Sequence, residues 1–345
     1  MSAETSAVLA EVLASHGPGD AAQFIVYADL FLERGERELA AAALDRAYGL
    51  TPEDRALARQ RAAVLDELAV EEHGLRWRFV PAGTTVMGSL SGDPDERPVH
   101  ARRVDAFWIL DTPITWHDFR RLRGKEPEGK EPLSTPQGRA RFDRHQRDKI
   151  RMQYCRTKEV SPHDWHTAIE SASPNNLDVH PMVATVPSEA EDLVAALAAA
   201  QPGVAYALPT EAQWEKAALG GLVGKRYAWG DAAPTPATCD FDHHGDFRLS
   251  DPRARAANGY GVFAMCGGVA EWTADLYDAL AYTQGGRAAA PTGLAADQQQ
   301  RVLRGGSWSD CAHAVTVSYR MSRSAERAES PTVGFRLVRT VVRAT

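Results

Sequence analysis

The residues best placed to do chemistry follow Arg304-Gly305-Gly306-Ser307-Trp308: the run SDCAHAV supplies Ser309, Asp310, Cys311 and His313, and Tyr319 lies a little further on. A carboxylate and an imidazole this close suit a borderline metal ion, with a third ligand drawn from elsewhere in the fold. The same mixture of small, polar and aromatic side chains also suits a recognition surface. A second reactive stretch is CDFDHHGDF, residues 239–247, where Asp240, Asp242 and Asp246 offer hard oxygen atoms of the kind calcium prefers. His163 and His166 have a helix-compatible spacing, and His180 follows them. His243 and His244 are adjacent, so they cannot easily face one ion. The four cysteines, Cys155, Cys239, Cys266 and Cys311, stand far apart with no CxxC pair. They form neither a disulfide scaffold nor a zinc knuckle by spacing, and free thiols are expected.

Three stretches must position these groups. ALPTEAQWEKAA (207–218) reads as a chain entering a helix. Thr210 is its N-cap and Gln213, three residues on, its capping-box partner. Glu211 lies in the first turn, where the helix dipole favours a carboxylate, and Gly220-Gly221 stops the helix. In RVLRGGSW (301–308), a strand-like run meets two glycines, which mark a bulge, a positive φ or close approach of another backbone. The third stretch is GYGVFAMCGGVAEWT (259–273).

In this order the three stretches resemble the formylglycine-generating enzyme (sulfatase-modifying factor) superfamily, which has a C-type-lectin-like fold. FVPAGTTVMG (79–88), FWILDTPITWHDFRRL (107–122), YAWGD (227–231) and GFRLVR (334–339) add to the likeness, which covers residues 75–342. The expected fold class is therefore α+β. Formylglycine-generating enzymes carry two cysteines after this motif, which bind copper and the substrate thiol, and a soft Cu(I) ion favours such a thiolate pair. In register, those places fall on Asp310 and Val315 here, and Arg323 falls on the family's arginine. Where the family has a tryptophan beside its active site, this chain has Ala270. The resemblance thus implies no copper and no thiol oxidase, with Asp310, Val315 and Ala270 as altered catalytic positions. Relatives that make ergothioneine sulfoxide bind iron through HxxxHxE, a pattern this chain lacks.

The resemblance also implies calcium. At one site Glu271 supplies a side-chain oxygen and Ala264, Gly267 and Val269 supply main-chain carbonyls. The alternative for Glu271 is a buried salt bridge or a cap for local amides. At a second site, in the acidic arm, Asp240 and Asp246 are the ligands. Two function classes remain. One is a binding module with a cavity opened by Ala270 and lined by Ser307, Trp308, Ser309, Asp310, Cys311, His313 and Tyr319. It would take a protein or small-molecule ligand. Retroelement-diversified binding proteins use this fold and vary just after GGSW. The other is a non-haem metal-dependent oxidoreductase built from Asp310, His313 and a residue of an insertion.

The rest of the chain sets the frame. Residues 1–73 read as helices, with Asp20 capping the stretch that carries Phe24 and Phe31. A helix start with proline in its first turn is expected at 51–54. This small all-helical domain resembles tetratricopeptide-type repeats and offers either a groove for a partner protein or a cap on the following domain. Residues 71–74 read as the linker between the two. SLSGDPDERP (89–98) is a polar, turn-rich loop, and residues 123–160 are a highly charged insertion. A net charge of −7 gives no support to a nucleic-acid partner. No apolar run reaches a membrane span, and the N-terminus lacks the basic region of a secretory signal. The expectation is a cytoplasmic protein.

Overall fold

A computed structural model describes residues 20–123, 179–183, 185–242, 249–284, 300–325, 330 and 332–342. The helix expected before residue 17, the insertion beyond residue 123, Cys155, His163, His166, His243, His244 and Asp246 lie outside the described residues.

The chain opens with helices α1 (Ala21–Glu33), α2 (Arg37–Leu50) and α3 (Arg55–Glu67). Asp20 caps α1, accepting from the Ala22 amide at 3.0 Å. At α3 the cap is Asp54, whose carboxylate accepts from the amides of Ala56 and Leu57. Pro52 therefore lies before the helix, not in its first turn: Asp54 can satisfy the free amides and a proline cannot.

Residues 71–74 are not a linker. Strand β1 (Val70–Glu72) turns back on β2 (Leu75–Val80) as an antiparallel hairpin. Its two turn residues, His73 and Gly74, have φ of 53° and 64°, the positive pair that a tight hairpin needs. The hairpin continues into a five-stranded antiparallel sheet, β1-β2-β5-β11-β6, with β5 (Phe107–Leu110), β6 (Val204–Ala207) and β11 (Val338–Val341). Strands β3 (Gly83–Met87) and β4 (His100–Val104) form a separate pair. Helix α4 (Trp116–Arg123) is capped by Thr115, and α5 (Pro187–Ala200) takes Pro187 at its first position. Helix α6 (Glu211–Leu219) then leads to a four-stranded sheet, β10-β7-β8-β9: β7 (Ala270–Leu276), β8 (Gln300–Arg304), β9 (Arg320–Ser324) and β10 (Val333–Gly334).

The N-terminal helices do not have a core of their own. Phe31, Leu44, Leu57 and Leu65 belong to one apolar cluster with Phe79, Val80, Phe107, Trp214 and Tyr260. Arg61, 2 % exposed, bolts the two parts together. It donates to Asp45, to the Gly259 carbonyl at 2.8 Å and to the Gly220 carbonyl at 3.1 Å. A second cluster holds Trp77, Trp116, Leu193, Trp272, Trp308 and Phe335, drawing on strands of both sheets. Among the described residues no helix is long and apolar enough to cross a membrane.

Candidate functional site

The three landmark stretches meet at one place. Thr210 accepts from the Gln213 amide at 3.2 Å, the Gln213 side chain accepts from the Thr210 amide at 2.9 Å, and Gly220 ends α6 with φ 60°. This fixes α6 so that Glu211, Trp214 and Glu215 face inwards. Glu211 takes Arg320 at 2.8 and 3.0 Å. Trp214 Nε1 donates to Glu271 at 2.8 Å. Glu215 pairs with Arg304, and also accepts the Gly88 amide.

Gly305 and Gly306 follow β8 with φ of 91° and 62°. A side chain on the first would strike the Trp214 ring and the Met265 carbonyl, and one on the second the Ala314 carbonyl. Both expected roles, positive φ and close approach, are present. The Gly305 carbonyl accepts from the Gly267 amide at 2.8 Å, and the Trp308 amide donates to the Gly268 carbonyl at 2.9 Å. The backbone of 305–308 is thus stitched to 267–268.

Beyond it the chain runs in consecutive turns. Asp310 closes the first: its Oδ2 accepts from the Ser307 amide at 2.8 Å and the Ser307 hydroxyl at 2.6 Å. Arg304 holds the far end, donating to the carbonyls of Val317, Ser318 and Tyr319. The 227–231 arm clamps the outside, with the Tyr227 hydroxyl on the Ala312 carbonyl at 3.1 Å. Within this frame Ser307 and Trp308 are buried, Ser309, Asp310 and Tyr319 are half-buried, and only Cys311 and His313 of the expected ligand set are exposed.

Several expectations need correction. Ala270 does not open onto the surface: it is fully buried, in the same apolar cluster as Trp308, Val333 and Phe335. Val315 is likewise core. The Asp310 carboxylate serves Ser307, and among the described residues it joins no group of three metal-ligating side chains with His313. For Glu271, the salt-bridge alternative is the one the structure contains. Arg336 donates to both its oxygens at 2.7 Å, and the same guanidinium reaches the Phe263 carbonyl at 3.0 Å and the Ala264 carbonyl at 3.4 Å. The Arg336 guanidinium thus meets two of the four expected ligands, the Glu271 carboxylate and the Ala264 carbonyl. In the acidic arm, the Asp240 side chain is held by Arg255, at 2.5 Å, and by the Ser250 amide and hydroxyl, both at 3.0 Å. Its carbonyl accepts from the Gly268 amide at 2.9 Å. His180 is partly buried, which lowers its pKa and favours the neutral ring.

What the sequence reading missed is the partner of His313. The 89–98 loop folds over so that Asp93 Oδ1 lies 3.2 Å from His313 Nε2. Glu96, 1 % exposed, stands behind Asp93 and accepts its amide at 2.8 Å. Among the described residues, Asp93, Glu96 and His313 bring ligand atoms within 4.8 Å of one another. The local signal was D-P-x-E, a helix-start pattern, which places Glu96 against Asp93 and says nothing of His313. Beside the group is a cavity of about 260 Å³ with Ser89, Lys225, Arg226 and Ser318 in its wall. An imidazole, a carboxylate and two cationic side chains around one hollow can bind a polar ligand.

Comparison with known proteins agrees with this architecture. Residues 70–341 match the family described as sulfatase-modifying factor enzyme 1-like domain. Over 264 residues the chain is 29% identical to serine/threonine-protein kinase pkn1 of Chlamydia caviae, which covers 76% of this chain and 38% of the kinase. It is 36% identical over 144 residues to the Bos taurus inactive C-alpha-formylglycine-generating enzyme 2, covering 37% of this chain and 42% of that one. It is also 36% identical over 148 residues to the formylglycine-generating enzyme of Streptomyces coelicolor, covering 37% and 45%. The chain thus spans less than half the length of these relatives. Among solved structures, PvdO from Pseudomonas aeruginosa superposes with a TM-score of 0.55 at 17% identity, covering 79% of this chain and 98% of PvdO. Treponema denticola variable protein 1 gives 0.52 at 18% identity, covering 76% and 94%. At these identities the structural likeness is one of fold.

Proposed function

Because the chain belongs to the sulfatase-modifying factor enzyme 1-like family, we propose that it is a member without the family's thiol chemistry, which binds a ligand or protein through the face after GGSW. The observation that carries the reading is the state of the two cysteine positions. Asp310 closes a turn on Ser307, and Val315 is packed core. Each is a working part of the scaffold, so the loop is organised around side chains that cannot hold copper as a thiolate pair. Cys311 is exposed, while Cys239 and Cys266 are buried. A likeness to an enzyme named inactive is in keeping with this.

The remaining surface is chemically mixed, on a backbone tied down by Asp310 and Arg304. His313 packs edge-on to Tyr319 at 5.4 Å, with Cys311 beside them and the polar cavity next to His313. Side chains set on a fixed backbone can vary without harming the core, which suits recognition. The test has two arms. The full chain is incubated with a cysteine-containing sulfatase peptide, with copper and without, and no formylglycine should form. Turnover lost on Cys311→Ser would overturn the reading. Peptides and small polar fragments are then screened for protection of Cys311 from maleimide. Binders should slow its labelling and lose affinity on His313→Glu. Binders that leave Cys311 and His313 indifferent would place recognition elsewhere.

A further inference from the structure

We infer that Asp93, Glu96 and His313 form a binding site for a first-row divalent transition-metal ion, on the same face but independent of any macromolecular partner. Three features of the group support this. The first is the donor set. One imidazole nitrogen and two carboxylates match ions such as Zn²⁺ or Mn²⁺, whereas calcium prefers six or more oxygens.

The second is Glu96. Its side chain is buried, Oε1 accepts from the Asp93 amide, and the buried Oε2 has no hydrogen-bond partner among the described residues. An unmatched carboxylate oxygen away from water is costly. Gly92 crowds that oxygen closely enough that a side chain there would collide with it. A cation held with Asp93 and His313 supplies the missing partner.

The third is pre-organisation. The loop carrying both carboxylates is pinned between them. Arg320, a buried side chain, donates to the Asp95 carbonyl at 3.0 Å, and the Tyr277 hydroxyl donates to the Asp95 carboxylate at 2.8 Å. The Glu96 carbonyl accepts from the Ser89 amide at 3.1 Å. On the other side, Thr316 donates through its hydroxyl to the His313 carbonyl at 3.0 Å. Ligand atoms bound to one ion at about 2.0–2.2 Å lie about 3–4 Å apart; Asp93 Oδ1 and His313 Nε2 are at 3.2 Å, and a Glu96 oxygen is within 4.8 Å of both. The His313 and Asp93 side chains, 45% and 50% exposed, have room to turn inwards, and Glu96 is already fixed. Three protein ligands leave coordination positions open towards the cavity, so a ligand's own oxygen or nitrogen can complete the sphere.

The experiment uses the full chain stripped with EDTA, and the metal alone. Zn²⁺, Mn²⁺ and Ca²⁺ are titrated by calorimetry, and Co²⁺ is added to read ligand geometry from its visible spectrum. One Zn²⁺ or Mn²⁺ site is expected. Losing an outer partner of a metal ligand already costs roughly 10–100-fold in affinity, so His313→Ala and Asp93→Asn should each cost at least that and abolish the Co²⁺ spectrum. Both residues are exposed, so these variants should fold as the parent does, checked by circular dichroism. Glu96→Gln should also weaken binding. Unchanged affinity in folded His313→Ala and Asp93→Asn would overturn the site, as would no binding of any first-row ion at millimolar concentration. Calcium binding as tight as zinc that survives His313→Ala would do so too. None of these outcomes bears on formylglycine formation or Cys311 protection, so failure here is distinct from failure of the recognition reading.

Discussion

The carboxylate of Glu271 and the guanidinium of Arg336 meet as a two-pronged ion pair, Oε2 to Nε and Oε1 to Nη2 both at 2.7 Å, with neither side chain exposed. The pair joins β7 to the chain between β10 and β11, and Trp214 ties it to α6. Removing one partner of a buried pair leaves an uncompensated charge and costs about 3–5 kcal/mol. Arg336→Met should show that loss in urea unfolding, and Glu271→Leu with Arg336→Met should recover much of it. Calcium added to the EDTA-stripped protein should leave Tm unchanged. A rise in Tm that Glu271→Gln removes would restore a calcium site there.

Ala270 tests whether the space beside Trp308 is pocket or core. Overpacking a filled core costs about 1–3 kcal/mol and occasionally more. Ala270→Trp should therefore lower stability on at least that scale in denaturant titration. A variant as stable as the parent would show that room exists.

Asp310 should behave as a turn-former. Hydrogen bonds to a charged group contribute about 1.5–3 kcal/mol, and Asp310 accepts two from Ser307. Asp310→Ala should cost stability in that range, and Asp310→Asn, which keeps one accepting oxygen, should cost less. Equal losses in thermal and urea unfolding would count against the turn role.

The described cysteines should differ sharply in reactivity. Burial pushes the thiols of Cys239 and Cys266 up to about 12. A raised pKa keeps each as the unreactive thiol at pH 8, since the thiolate is the nucleophile. Site-resolved mass spectrometry after brief alkylation at pH 8 should find Cys311 modified, and Cys239 and Cys266 modified only in denaturant. Rapid labelling of Cys266 in the native protein would contradict its place in the core.

The helical N-terminal part should not be dispensable. A chain begun at Leu75 loses Arg61, strand β1 and the apolar faces of α1 to α3, and should be insoluble or molten by near-UV circular dichroism. Arg61→Ala should lower Tm, because the Gly220 and Gly259 carbonyls and Asp45 lose their donor. A well-folded fragment from Leu75 would support two separate domains.

Much of the scaffold was legible from local chemistry. The cap of Thr210 with Gln213, the stop at Gly220, the cap of Asp20 and the glycine pair at 305–306 depend on hydrogen bonds and φ preferences settled within a few residues, and each is found where its sequence puts it. The order of the three landmark stretches carried the family and the fold. The site was not legible in the same way. His313 and Asp93 are 220 positions apart and meet because Arg320 and Tyr277, from other parts of the chain, hold the 89–98 loop at Asp95. Likewise Glu271 reads equally well as a cation ligand or an ion-pair partner, and what decides is that the fold delivers Arg336 to it from 65 residues away. Ala270 reads as a missing tryptophan, and what decides is that the fold buries it completely in the cluster of Trp308, Val333 and Phe335, with Val333 beside it across the sheet. Short-range order is encoded in neighbours along the chain. Which buried charge finds a partner, and which small residue leaves a space, depends on distant segments packing together, and only the tertiary structure holds that.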